Sequence, residues 1–425
     1  MNKSVYALNW LYLDLNSYFA TIEQQVNTNY RKKPIAVVPC DADTTCAIAT
    51  SYEAKAKGVT TGTIIRQAKK LIPDLICVPA KHELYTEYHN KILQEIDKHI
   101  YVDYILSIDE CACKLTGKYQ DEDQAVKLAN EIKIGIIKNV GDYIRCSIGI
   151  ASNRFLAKVA TNIQKPDGLV VIKKNNILKT LCSLSLKDLP GIGTATYNRL
   201  LYNGISTIEE LCKLDVGSLR RAFGSILGER YWYMLRGIEL PDIETKSKSI
   251  GNSQVLPPEL RNTEDVKIIT HRLLQKAASR LRRLNYSCKG LVLNISTIDN
   301  KHYRETVKFN MLSDSISLAD KMFEAWNCLT YQNKIKLIKK ISVTLINIDF
   351  RQQEFKQKSL LDGATDDYIS QRKSRERLSK TIDELNIKYG KDAVCIGVLP
   401  IESKKYHTGT KIAFGTVPIS QDFNE

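Results

Sequence analysis

The chain has 425 residues, a net charge of +15, 43% hydrophobic and 26% charged residues. These are globular values, and the length allows about three domains. No run approaches the roughly 18 apolar residues of a membrane span, and Met1–Leu15, with one lysine and an apolar run broken by Asn9 and Asp14, is not a signal peptide. The eleven cysteines form no CxxC pair, the closest spacing being Cys111-x-Cys113. That pattern reads as reduced thiols in a cytoplasmic protein and speaks against a zinc site.

In chain order, Trp10–Leu15 is an apolar strand that carries Asp14 near its end. Asn16 or Ser17 then caps a helix that opens with Tyr18-Phe19. Pro34–Pro39 is a short strand. Tyr52–Gly58 is a helix stopped by its glycine, with Tyr52 and Lys55 on one face. A short helix over 62–71 ends before Pro73. Glu83–Ile100 is a long amphipathic helix.

Tyr104, Ile105, Leu106 and Ile108 read as a buried strand running into Asp109-Glu110. Adjacent carboxylates between apolar segments are a poor structural choice, because each raises the other's pKa. A divalent cation with hard oxygen ligands removes the problem. If the strands of Asp14 and of Asp109-Glu110 are neighbours, three carboxylates converge as two-metal phosphoryl transfer requires. The competing reading is an exposed hairpin turn with a strand-end acid.

Asp121–Lys138 is a second long helix and Arg145–Ile150 a strand. Ser152 caps a helix bearing Arg154, Lys158 and Lys165. Pro166-Asp167-Gly168 turns into strand Leu169–Ile172. Strands and helices mix here without strict alternation, which fits an α+β sheet with helices on one face. Residues 173–240 become short helices. Leu189–Gly193 is a tight hairpin whose backbone N–H groups, at Gly191 and Gly193, can hold a DNA phosphate. Residues 241–248 are a polar linker. Residues 249–350 show the split βαββαβ pattern.

Residues 246–358 hold 21 basic and 10 acidic residues, so +11 of the +15 lies there. A basic module on a nearly balanced chain points to a polyanion, most simply nucleic acid. Arg272, Lys276 and Arg280 make a basic stripe on one helix face, expected to be solvated, while the strand face is the flatter platform for a duplex. Residues 351–425 carry a charged helix over Gln371–Tyr389, with a further strand expected near His407–Gly415.

The order of these pieces over residues 10–350 resembles the Y-family (translesion) DNA polymerases of the bacterial UmuC/DinB type. The resemblance rests on Leu13–Ala20, Ser107-Ile108-Asp109-Glu110, Cys146–Ala151 with Phe155–Lys158, Lys165–Gly168, Leu189–Gly193 and Lys248–Gly251. It implies an α+β palm/fingers/thumb polymerase core plus a βαββαβ little-finger domain. The palm would be 1–30 and 85–172, the fingers 31–84, the thumb 173–240, and the little finger 249–350 after the linker. Asp14, Asp109, Glu110 and the backbone carbonyl of Leu15 would hold two Mg²⁺ ions, Mn²⁺ being an alternative. Phe19 would be the steric gate under the sugar, with Tyr18 a neighbouring backbone contact. Tyr52, Lys55 and Lys158 would meet the triphosphate. The implied partners are primer-template DNA, deoxynucleoside triphosphates, accessory mutagenesis proteins and a sliding clamp, the last bound through Gln357, Leu360 and Leu361.

The chain departs from the family pattern in places. Lys55 replaces a usual arginine and so cannot grip a phosphate with two prongs. Ala49, Ala112 and Lys114 also differ from the common residues. Two other readings share some of these features: a palm-type nucleotide cyclase, and a catalytically dead polymerase relative acting as a DNA-bound adaptor.

Overall fold

The computed structural model describes residues 8–243, 248–333, 335–350, 366–390 and 393–397. In chain order these form β1 (Trp10–Leu15), α1 (Tyr18–Val26), β2 (Ile35–Val38), β3 (Ala49–Thr50), α2 (Tyr52–Ala56), α3 (Ile65–Leu71), β4 (Ile76–Pro79) and α4 (His82–Asp97). There follow β5 (Tyr104–Ile105), β6 (Glu110–Lys114), α5 (Glu122–Asn139), β7 (Cys146–Ala151), α6 (Arg154–Ile163) and β8 (Leu169–Ile172). Short helices come next: α7 (Ile177–Cys182), α8 (Thr194–Tyr202), α9 (Ile208–Lys213), α10 (Val216–Phe223) and α11 (Ile226–Met234). The last part is β9 (Ser249–Val255), α12 (Thr263–Arg283), β10 (Tyr286–Thr297), β11 (His302–Leu312), α13 (Ser315–Asn333), β12 (Ile338–Ile346), β13 (Asp349–Phe350) and α14 (Asp366–Tyr389). No helix among the described residues is long and apolar enough to cross a membrane.

The first sheet has the order β5-β6-β1-β7-β8. Its central strand β1 is buried along its whole length, as expected of a strand covered on both faces. Leu11, Leu13 and Leu15 face one core, shared with α4 and α5, through Ile92, Ile96, Leu128 and Ile132. Trp10 and Tyr12 face a second core with α6 and the short helices. Gly149 of β7 lets α6 lie directly on the sheet. A Cβ there would penetrate the Ala157 carbonyl oxygen and come within 2.7 Å of the Ala160 Cβ.

The expected buried strand before Asp109 is not one. Only Tyr104 and Ile105 are paired, and they form an exposed sheet edge, with Leu106 exposed beside them. Apolar character alone does not separate an edge strand from a core strand, and here the Arg154 guanidinium covers the Tyr104 ring at 4.2 Å. Residues 31–84, read from sequence as one strand with helices, contain a three-stranded sheet, β3-β2-β4. The helix after β7 is capped by Asn153, whose side chain accepts from Leu156 N at 2.8 Å, and not by Ser152.

The third sheet, β11-β10-β12-β9, is backed by α12 and α13. Leu291, Leu293 and Ile295 of β10 alternate into the helix side, and Ile341, Val343 and Leu345 of β12 do the same in register. The expected solvated stripe on α12 is corrected: Arg272 is buried, and Arg280 donates to Asn252 Oδ1 at 2.6 Å. At Arg280 the stripe is turned to β9 and not to water. The charged helix of the tail begins earlier than expected, at Asp366, and docks on this unit. Arg282 makes a two-pronged pair with Asp383 at 2.6 and 2.8 Å, and Ser379 Oγ accepts from Ser315 N. Gln357, Leu360 and Leu361, and the strand expected near His407–Gly415, lie outside the described residues.

The seat of α6 on β7 gives a direct test. Gly149→Ala should destabilise the protein by at least about 2 kcal/mol, because the obstructing atom is backbone and cannot rotate away. Denaturant unfolding of the two proteins measures it, and equal midpoints would show that α6 can slide.

Candidate active site

β1 lies between β6 and β7, and its register sets Asp14 directly opposite Glu110 on one side and Ser147 on the other. Directly opposed residues of an antiparallel pair have Cβ atoms about 5 Å apart, so the two carboxylates share one patch of the sheet. Asp109 enters from the turn just before β6, where its carbonyl accepts from Leu15 N at 2.8 Å. The sheet thus brings Asp14, Leu15, Asp109 and Glu110 together, from positions almost a hundred residues apart.

Cations of the chain occupy this patch. The Lys158 ammonium, carried by α6, donates to Asp14 Oδ2 and, at 2.7 Å, to Glu110 Oε1. Lys165 donates to Asp14 Oδ1 at 2.6 Å. Burial lowers the Lys158 pKa, but Asp14 and Glu110 more than reverse this, and it ends raised. Lys55 donates to Ser17 Oγ at 2.6 Å and lies over the Tyr52 ring at 4.6 Å. Burial, followed by the charge of Lys165, lowers its pKa. Tyr52 is raised by burial and then by Asp14, which places it within reach of the same charges. Ser17 therefore serves Lys55 and makes no side-chain cap to α1. A cleft opens beside Lys158, lined by Tyr12, Arg154 and Phe155, and by Arg230 and Met234 of the helical region.

Several partners do not stand out in the sequence. Tyr12 donates to Glu110 Oε2 at 2.5 Å. Its signal is the two-residue spacing from Asp14, which puts both on one face of a strand. Ser107 donates to Asp109 Oδ1 at 2.5 Å. The importance of Lys165 is hidden because its partner lies 151 residues away.

Phe19 is half-buried at the start of α1 and stacks on Tyr85 of α4, with ring centroids 4.3 Å apart and planes at 15°. Tyr18 turns into the core and donates to the Tyr85 carbonyl at 2.6 Å. Gly191 has φ +90°, and a Cβ there would meet Tyr231 Oη at 2.8 Å, so this turn takes only glycine without strain. Gly193 caps α8 with its backbone and has open space around it.

In this side-chain arrangement no three His, Cys, Asp or Glu residues among those described are gathered closely enough to hold a metal ion. An ammonium group bridges Asp14 and Glu110, while Asp109 accepts from Ser107 Oγ. The donor set nevertheless fits a hard divalent cation. Its donors are carboxylate oxygens, Asp14 is only 6% exposed, and the protein's own lysines stand where positive charge is needed.

Asp109 shows how much negative charge the site carries. Burial, and then the charges of Glu110 and Asp14, raise its pKa above the ordinary 3.8, against the Ser107 hydrogen bond and the Lys158 charge. The folded state therefore binds this proton more tightly than the unfolded chain does. The ionised carboxylate costs stability that appears as pH rises from 3.8 through the folded value and stays constant above it. In chelator-treated protein, Asp109→Asn should raise the unfolding temperature at neutral pH, and the gain should vanish at a pH below the ordinary aspartate value. Thermal melts across pH check this; a destabilised Asn variant at neutral pH would contradict it.

The chain matches three family models. Residues 13–162 match the impB/mucB/samB family, residues 187–239 the DNA polymerase-iota thumb domain, and residues 247–360 the impB/mucB/samB family C-terminal domain. It is 31% identical to the DNA polymerase IV of Oceanobacillus iheyensis over 398 residues, covering 90% of each chain. It is 28% identical to DNA polymerase IV 1 of Bacillus subtilis, over 89% of this chain and 90% of that one. Among solved structures, a Y-family DNA polymerase chimera (Dbh-Dpo4-Dbh) superposes with a TM-score of 0.68 over 81% of this chain and all of that one, at 23% identity, which shows the shared fold. An insertion ternary complex of Dbh DNA polymerase gives 0.51 at 25% identity, with the same coverage. Family models and relatives spanning most of the sequence thus agree with the fold, and the chain belongs to the Y-family of DNA polymerases, as a DNA-directed DNA polymerase of the translesion type.

Proposed function

We propose that deoxynucleotide addition to a primer 3′ end takes place at the Asp14–Glu110 patch of the first sheet. The observation that carries this is the register pairing of these two acids beside Asp109, with Lys55, Lys158 and Lys165 around them. Asp14, Asp109, Glu110 and the carbonyl of Leu15 would hold two Mg²⁺ ions, or Mn²⁺. Bound there, such ions supply positive charge to the attacking and leaving oxygens of phosphoryl transfer. Tyr52, Lys55 and Lys158 bind the triphosphate, and Lys165 belongs with them. Fixed ammonium groups in a poorly hydrated site neutralise charge that develops on the transferring phosphoryl group. Phe19 excludes a ribose by its ring, with Tyr18 contributing backbone.

The domain limits follow the sequence reading: palm 1–30 and 85–172, fingers 31–84, thumb 173–240, little finger 249–350. In the thumb, Gly191 and Gly193 present N–H groups to a backbone phosphate. In the little finger, the sheet face away from α12 and α13 carries Arg304, Lys308 and Lys340, with small or uncharged residues such as Gly290, Asn294 and Ser342 between them. No acid stands on that face at the paired positions among β9, β10, β11 and β12. Such a face grips phosphates without reading bases. A sliding clamp belongs to this reading through Gln357, Leu360 and Leu361. A dead adaptor would not need all three acids, and a cyclase would not need the basic sheet.

Two measurements test these roles. In primer extension, Asp109→Ala and Glu110→Ala should each lower incorporation by about 10³-fold or more, with DNA affinity kept. Near wild-type rates in both would remove the acids from the chemistry. For the sheet face, replacing Arg304, Lys308 and Lys340 by Ala should make the dependence of log affinity on log salt shallower by about 0.9 for each phosphate no longer neutralised. An unchanged slope would move the duplex to another surface.

A further inference from the structure

Behind Phe19 lies a charged group that the site described above does not use. α1 places Phe19 and Glu23 one turn apart on the same face. Phe19 is half-buried, whereas Glu23 has no exposed surface. A buried carboxylate persists only with charged or hydrogen-bonding partners. Glu23 has two on α4 and its cap: Lys81 Nζ donates to Oε2 at 2.8 Å, and Tyr85 Oη donates to Oε1 at 2.9 Å. Tyr85 is the residue on which the Phe19 ring is stacked. Its carbonyl is held by the Tyr18 hydroxyl, and its ring is met edge-on by His82 at 6.0 Å. His82 also meets the Phe19 ring edge-on, at 6.1 Å.

Tyr85 is therefore fixed at its backbone, at one face of its ring and at its hydroxyl. An apolar side chain would fill the same core space, and replacing buried ion pairs by well-packed apolar groups is often neutral or stabilising. What the carboxylate adds is direction: it fixes the Tyr85 ring, and with it the plane against which Phe19 lies. Ribose differs from deoxyribose by one oxygen, so a ring free to shift by a fraction of an ångström would admit it.

We propose that Glu23, held by Lys81 and acting through Tyr85, is a positioning residue that sets the discrimination of deoxyribose from ribose. This rests on the reading of Phe19 as the gate. Glu23 touches no substrate. Its effect reaches the sugar through two rings.

The test compares kcat/KM for a ribonucleotide and the deoxynucleotide of the same base in single-nucleotide primer extension. The variants are Phe19→Ala, Tyr85→Phe, Glu23→Gln and Lys81→Met. Phe19→Ala should lower sugar selectivity by about 10²-fold or more; Tyr85→Phe and Glu23→Gln should each lower it by about tenfold, and these two should keep the deoxynucleotide kcat/KM within about threefold. The Lys81 side chain is half-exposed, and Lys81→Met should move selectivity the same way by less. Added to Phe19→Ala, Glu23→Gln should cause no further loss of selectivity, since the two act through one ring. If Glu23→Gln does not fold, Tyr85→Phe and Lys81→Met carry the same comparison. If Phe19→Ala collapses selectivity while Tyr85→Phe, Glu23→Gln and Lys81→Met leave it unchanged, or slow both sugars equally, the brace is only structural and the gate stands. If Phe19→Ala leaves selectivity unchanged, the gate reading falls and this inference falls with it.

Discussion

The structure depends on one arrangement: two carboxylates facing each other across adjacent strands of a buried sheet, with a lysine ammonium between them. In a medium less polar than water, Asp14 and Glu110 repel each other strongly, and removing both from solvent adds its own cost. Lys158 offsets both terms, and only because α6 lies close against β7. The order β6-β1-β7 supplies the acids, and the helix that follows β7 supplies the cation. Lys165 reaches Asp14 from the turn that leads into β8, so two strands, a helix and a turn serve one charge cluster.

Much of this is legible in the sequence, and the reasons are physical. Asp109-Glu110 stands out because adjacent acids among apolar residues have few structural uses. The βαββαβ unit is visible because alternation with period two and long amphipathic helices are strong signals. The strand before Asp109 misleads because Tyr104, Ile105 and Leu106 are apolar yet lie on an edge, where a guanidinium covers one of them. Arg272 and Arg280 look solvated because helical spacing shows a stripe but not what faces it. Tyr12 and Lys165 escape notice because a tyrosine in a strand and a lysine in a turn are ordinary until long-range pairing gives them a carboxylate.

The C-terminal unit shows how separate levels of structure can share one sequence. β10 alternates between residues that build the core on α12 and α13 and residues that leave an open, basic face. The same unit receives α14, and an isolated helix is marginal in water without such docking. Its attachment includes polar contacts, Arg282 with Asp383 and Ser315 with Ser379. Arg261, itself buried, donates to Thr44 Oγ1 at 2.8 Å, a hydrogen bond from this unit to the loop between β2 and β3.

Gly149 has a meaning beyond packing. The gap between β7 and α6 is closed by the backbone of Ala157 and Thr161 and by the Ala160 methyl group, so the height of Lys158 above the sheet is set mainly by peptide geometry. A backbone contact of this kind cannot be relieved by a change of rotamer, so the distance between sheet and helix, and with it the reach of the ammonium to both carboxylates, is held to a narrow range.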